Sequence, residues 1–318
     1  MKTISLNIAI FLVLVTSSVC QMDHEFYNEL KENAPFEVLD YDEMVDIFKD
    51  YNPGDPEVSR RNQMEDERLM KERIKELSKS EHFLALAKDN IELPLEFDWR
   101  KKRPECFSPP ENQMNCGSCY AFAVVSAFEE RICIKSKGKT KANLSQQDVI
   151  SCDRNALKCE GGMLYYTWEF LENYGTCSYH CKPYTAFDGF VPMCYNQCNN
   201  RAHSYFKWTA KKNSMIVIES DVQKIKEEIY KNGPVTTQMQ TFTDMYTYKS
   251  GIYMHTKGKP SDLHAITIVG WGQNPILKVD YWIIRNSWGP YWGENGYFKV
   301  MIGYYGVADY IIASEPEL

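Results

Sequence analysis

The chain has 318 residues, with 43 acidic against 36 basic side chains and a formal net charge of −7. No basic stripe with interleaved aromatics suggests a nucleic-acid partner. No stretch after the first twenty residues approaches the roughly 18 apolar residues of a membrane span, so none is expected.

Residues 1–20, "MKTISLNIAIFLVLVTSSVC", run from a basic start through an apolar stretch to small residues. That order predicts a secretory signal peptide cleaved near Cys20, too short in its apolar part to anchor the chain. Residues 21–92 follow with 20 acids against 10 bases, no cysteine and one glycine. Within them, 64–87 ("MEDERLMKERIKELSKSEHFLALA") reads as a charged helix, with i,i+4 pairs such as Glu67 and Lys71. Such a helix serves either as a solvated linker or as a removable inhibitory segment. Residues 93–318 carry 23 acids and 25 bases and suffice for a substantial core in one or two lobes.

Ten cysteines, at 106, 116, 119, 133, 152, 159, 177, 181, 194 and 198, remain once Cys20 is set aside, and residues 199–318 have none. In an exported chain this density predicts disulfides. "NCGSCYAF" (115–122) sets Cys116 in a loop and Cys119 at the start of the apolar run "YAFAVVSAFEERICIK", a buried helix ending near Gly138. The amides and dipole of a helix N-terminus favour a thiolate at Cys119. The irregular spacing of the other cysteines argues against a zinc ribbon, and the missing βαβ pattern against a redox pair.

A nucleophilic cysteine needs a base. Among the six histidines, His264 opens the β-branched strand "LHAITIVGWG", and a second strand, "DYWIIRNSWG", runs to Asn286. An antiparallel hairpin centred on Pro275 brings His264 and Asn286 together, allowing for one bulge.

"QMNCGSCYAF", "LHAITIVGWG" and "RNSWGPYWGENGYFKV" resemble the papain-like cysteine proteases, from about Leu93 to the end. His264 and Asn286 lie 145 and 167 residues after Cys119, the asparagine slightly late for the pattern. "EIYKNGPV" and "YKSGIY" are most similar to the cathepsin B branch. The resemblance implies an α+β fold of two lobes, a helical one over about 103–203 and a β-rich, barrel-like one over about 204–318, with the cleft between. It implies Cys119 as nucleophile paired with His264 as imidazolium, Asn286 as orienter of the ring, and Gln113 with the Cys119 amide as oxyanion donors. Trp288 would shield the His264–Asn286 bond, and Trp288 and Trp292 would contact substrate.

Gly161 and Gly162 would pair with an extended substrate, Glu160 standing where the family has asparagine. Leu164, Gln238, Ala265 and Tyr310 would surround the P2 side chain. Tyr310 stands where relatives often carry glutamate, which implies an apolar P2 preference. The implied disulfides are Cys106–Cys133, Cys116–Cys159, Cys152–Cys194 and Cys181–Cys198, leaving Cys177. The family's occluding loop corresponds to "CKPYTAFDGFVPMCYNQC" (181–198), which has no histidine; this favours endopeptidase over dipeptidyl carboxypeptidase action.

Residues 21–92 become a propeptide that inhibits from the cleft and loosens as carboxylates protonate in acid, with cleavage near Glu92. Protein and peptide substrates are implied, no cofactor or metal, a monomer, and delivery to a lysosome or vacuole or outside the cell. An inactive peptide-binding relative stays an alternative. Asn143–Leu144–Ser145 is an N-glycosylation acceptor pattern.

Overall fold

The computed structural model describes residues 22, 24–49, 51, 56–77 and 91–318. The expected signal peptide, and the continuation of the charged helix through 78–87, lie outside the described residues.

The acidic segment forms α1 (His24–Asn33), β1 (Glu37–Val38), α2 (Tyr41–Phe48) and α3 (Pro56–Leu77). Asp40 caps α2 by accepting from Asp42 N–H. On α3, Arg68 pairs with Glu65 and Glu72. Glu67 does not reach for Lys71 as the charge pattern suggests; it lines a pocket with Tyr310 and Gln238. Val58, Asp66 and Met70 are buried, and Asn62 and Ile74 are partly so. This stripe, four residues apart, is the face that α3 turns onto the protein. Polar residues interrupt it, so hydrophobic periodicity alone does not reveal it.

The part of the chain after the acidic segment begins with β2 (Phe97–Asp98) and α4 (Trp99–Lys102). Helices α5 (Cys119–Lys135), α6 (Gln146–Cys152) and α7 (Leu164–Asn173) then build the first lobe. Helix α5 is buried nearly all round, as its apolar composition dictates. Ser145 caps α6 through Asp148 N–H. The short pair β3 (Thr176–Cys177) and β4 (Lys207–Trp208) closes this lobe. Because β4 pairs back onto β3, the chain leaves the helical lobe beyond Trp208, somewhat later than the expected boundary at 203.

The second lobe holds β5 (Ile216–Glu219), α8 (Val222–Asn232), β6 (Val235–Phe242), β7 (Tyr248–Ser250), β8 (Ile252–Tyr253), β9 (Pro260–Asn274), β10 (Val279–Arg285), β11 (Tyr297–Met301) and β12 (Tyr310–Ala313). Its sheet runs β5-β12-β6-β9-β10-β11-β8, with β2 also paired to β9. The β9–β10 hairpin turns between residues 276 and 277, with Asn274 opposite Val279, rather than on Pro275; its register shifts once, at Ile283/Ile284.

Four disulfides, Cys106–Cys133, Cys116–Cys159, Cys152–Cys194 and Cys181–Cys198, all lie in the helical lobe. Cys177 is a buried free thiol. The lobes are joined through α5. Arg131 forms an ion pair with Glu228 at 2.7 Å, both side chains fully buried, and donates to the Gly233 and Pro234 carbonyls. Thr267 on β9 donates to the Ala123 carbonyl at 3.0 Å. The Thr267 bond ties the first turns of α5 to the middle of β9, and the Arg131 bonds tie its last turns to α8 and the loop before β6. No helix among the described residues is long and apolar enough to cross a membrane.

Candidate active site

Cys119 is the first residue of α5, after a Ser118 whose side chain makes no cap bond. Cys119 lines one pocket with Leu263 and Ala265, the two neighbours of His264 on β9. On the other side of the ring, His264 Nε2 and Asn286 Oδ1 are 2.7 Å apart. Asn286 leaves the end of β10 with its own N–H bonded to the Gly296 carbonyl. Its Oδ1 also accepts from Ser287 N–H, so the acceptor that orients the ring is itself held. Trp288 stacks on His264 with ring centroids 4.9 Å apart. It covers the histidine–asparagine bond on one side.

Gln113 is almost wholly buried. Its Nε2 donates to the Cys116 carbonyl at 2.9 Å and its Oε1 accepts from Ser287 Oγ at 2.6 Å. Ser287 therefore fixes which way the amide points, a role no sequence signal marks. One Nε2 hydrogen stays uncommitted.

Gly161 has φ of +114°, and a Cβ on Gly162 would sit 2.7 Å from the Tyr120 ring. Tyr120 is buried and donates to the Lys158 carbonyl. The close approach of this tyrosine makes glycine necessary at 162. Glu160 is exposed. Leu164, Gln238 and Ala265 line one pocket with Cys119, Gly117, Gly161, Gly162 and Leu263. Tyr310 lies on an adjoining pocket that shares Gln238 and Leu263. Trp292 is not on the cleft surface: it is fully buried behind Trp288, edge-on at 4.8 Å, and donates to the Tyr246 carbonyl.

The acidic segment covers this site. Residues β1 and β7 pair, and Leu39 N–H donates to the Thr247 carbonyl. Phe48 and Tyr51 pack on Trp288 and Tyr246 at 5.0–5.7 Å. Helix α3 then lies over the glycines. Asn62, Gln63 and Asp66 fill the pocket beside Cys119, leaving about 30 Å³. Asp66 accepts from the Leu164 and Tyr165 N–H groups at 3.0 and 3.2 Å. Sequence reading missed this carboxylate, because one buried acid in a charged run carries no distinguishing pattern.

Burial sets the charge state. It pushes the Cys119 thiol up to about 11 and the His264 imidazole down to about 4, the latter against the support of Asn286. Burial under the acidic segment thus disfavours both the thiolate and the imidazolium while the site is covered.

The segment 181–198 lies against the Gln113 loop: Tyr184 donates to the Gln113 carbonyl at 2.5 Å, and Asn115 N–H to the Phe187 carbonyl. His180 is exposed just before it. Asn143 is exposed, whereas Ser145 of the same triplet is buried as the α6 cap.

Comparison with known proteins agrees with this geometry. The model of the papain family cysteine proteases matches residues 93–315. Cathepsin B-like cysteine proteinase 4 of Caenorhabditis elegans is 36% identical over 241 residues, covering 66% of this chain and 71% of that protein. Cathepsin B of Dictyostelium discoideum is 32% identical over 239 residues, covering 71% and 76%. Among solved structures, proCathepsin B S9 from Trypanosoma congolense superposes with a TM-score of 0.66 at 27% identity, over 72% of this chain and 80% of that one. The chain belongs to the papain family of cysteine proteases, in its cathepsin B-like branch, with a propeptide packed on its cleft.

Proposed function

We propose that the protein is a thiol endopeptidase, made as a zymogen and released by removal of residues 21–92. The observation that carries this is the set of Cys119 at the α5 N-terminus, beside β9, with His264 held by Asn286 at 2.7 Å. Once the propeptide leaves, water and the helix amides favour the thiolate and the imidazolium. Cys119 Sγ attacks the peptide carbonyl. The oxyanion takes hydrogen bonds from the Cys119 N–H and the free hydrogen of Gln113 Nε2, each such donor contributing about 2.7–4 kcal/mol. His264 gives its proton to the leaving amine, then activates water to cleave the thioester. Asn286, a neutral acceptor, suffices as orienter because the cation on the ring is balanced by the thiolate.

Segment 181–198 carries no histidine to hold a substrate's terminal carboxylate, which favours cutting within chains over removing C-terminal dipeptides. The exposed Glu92, just ahead of β2, supports cleavage near that residue. Maturation in acid, export through the signal sequence to a lysosome, vacuole or the exterior, and action as a monomer belong to the same proposal.

The test is labelling by an epoxide-type thiol inhibitor together with a peptide-library digest. Labelling lost in Cys119→Ala, with cuts inside the peptides, is the expected result. Failure of the mature protein to label or cut refutes protease action, and release of C-terminal dipeptides alone refutes the endopeptidase assignment.

A further inference from the structure

Helix α7 begins without a cap of its own: Met163 precedes it and offers no side-chain acceptor. The amides of Leu164 and Tyr165 are instead capped by Asp66, a side chain from another segment that is 2% exposed. That segment is the one removed on maturation. The next residue, Glu67, places a second acid in the adjoining pocket that Tyr310 lines. Between the two walls stands Gln238, whose Nε2 is buried and finds no hydrogen-bond partner among the described residues. One acid of the propeptide is thus held by donors of the protease domain, and a second faces Tyr310 although Asp309 lines the same wall.

We propose that these donors form a carboxylate-binding subsite in the mature cleft, so that the enzyme prefers an acidic side chain at P2. This rests on the protease reading and replaces the apolar preference expected from Tyr310. Leu164 N–H and Tyr165 N–H supply two charge-assisted bonds at the positive end of a ten-residue helix. Tyr310 Oη and Gln238 Nε2 supply neutral donors for a longer side chain. Burial under α3 pushes Asp66 up to about 8, while the two amides pull the other way. A substrate carboxylate entering the uncovered cleft keeps the amide bonds and is spared much of that burial.

The experiment uses enzyme matured from the full-length precursor, with active sites counted by the epoxide inhibitor. Fluorogenic peptides that differ only at P2, Asp against Asn and Glu against Gln, are compared by kcat/KM at pH 6.5. The better acid should exceed its amide about tenfold. Leu164→Pro deletes one donor at a first-turn position where proline is tolerated, and should cut that ratio to about threefold. Tyr310→Phe gives the second test, lowering the Glu/Gln ratio and sparing the Asp/Asn ratio. Acid ratios at or below one in both pairs overturn the subsite, as does an unchanged ratio in inhibitor-titrated Leu164→Pro. If no peptide is cut and Cys119 is not labelled, the protease reading itself has failed, and the subsite with it.

Discussion

Phe48 tests whether aromatic packing holds the propeptide over the site. Its side chain is 1% exposed and meets the rings of Tyr51, Tyr246 and Trp288 at 5.0–5.4 Å. Two of those rings belong to the protease domain, and Trp288 is the one stacked on His264. Truncating a phenylalanine buried in this way costs about 3–5 kcal/mol. Taking 3 kcal/mol as the part borne by docking, the population with the propeptide lifted rises by about 10². A precursor carrying Cys119→Ala stays uncleaved, so its amide exchange can be followed by mass spectrometry. Adding Phe48→Ala should speed exchange in α1 and α2 by about a hundredfold, with amides of β9 and β10 unchanged. Exchange in α2 within threefold of the parent would refute the reasoning. Equal acceleration throughout the molecule would show global destabilisation instead.

The other expectations concern the chemistry, the pH response and the backbone. Replacing His264 by Ala should lower kcat/KM by about 10²–10⁴, and Asn286→Ala by less, since the base survives and only its orientation is lost; steady-state kinetics on one peptide ranks them. Glu37 is held below the usual carboxylate range by Ser250 and Lys249. Its support for the docked propeptide is therefore present above about pH 4.5 and lost as pH falls. Asp66 has the opposite sign: burial raises it to about 8, so the docked state takes up a proton and holds best in acid, weakening as pH rises from about 4 toward 8. Maturation followed on gels from pH 4 to pH 7 should lose part of its acid acceleration in Glu37→Gln and gain in steepness in Asp66→Asn; equal maturation rates of the parent at pH 4 and pH 7 would refute acid release. Gly162→Ala forces a Cβ to within 2.7 Å of the Tyr120 ring. It should cost about 1–3 kcal/mol, read as a lowered Tm of the Cys119→Ala precursor.

What the sequence made legible follows from where local chemistry decides the structure. The start of α5 was readable because Gly117 and Ser118 end one conformation and an alanine-rich apolar run begins the next at Cys119. The β9–β10 hairpin was readable from two β-branched runs around a polar turn. Its centre lies about one and a half residues beyond Pro275, of which the bulge at Ile283/Ile284 accounts for half a residue; the rest arises because Asn286 lies past the end of β10 and is not paired directly with His264. The propeptide was harder. Charge runs describe the solvated side of a helix, and α3 buries a stripe in which Asn62 and Asp66 interrupt Val58, Met70 and Ile74. Its partners, the amides at 164 and 165, lie nearly a hundred residues away. Trp292 shows the converse: a tryptophan in a family-like motif lies fully buried and supports Trp288 from behind.

The uneven placement of the disulfides sets a practical conflict. Every disulfide among the described residues lies in the lobe that carries Cys119, while the sheet lobe is held by strand pairing and apolar packing without a cross-link. A thiol reagent that keeps the nucleophile reduced also attacks the bridges around it, among them Cys116–Cys159, which ties the loop before Cys119 to the strip before Gly161. Turnover should therefore climb and then collapse along a dithiothreitol series, and the collapse should begin in the half of the molecule that performs the attack.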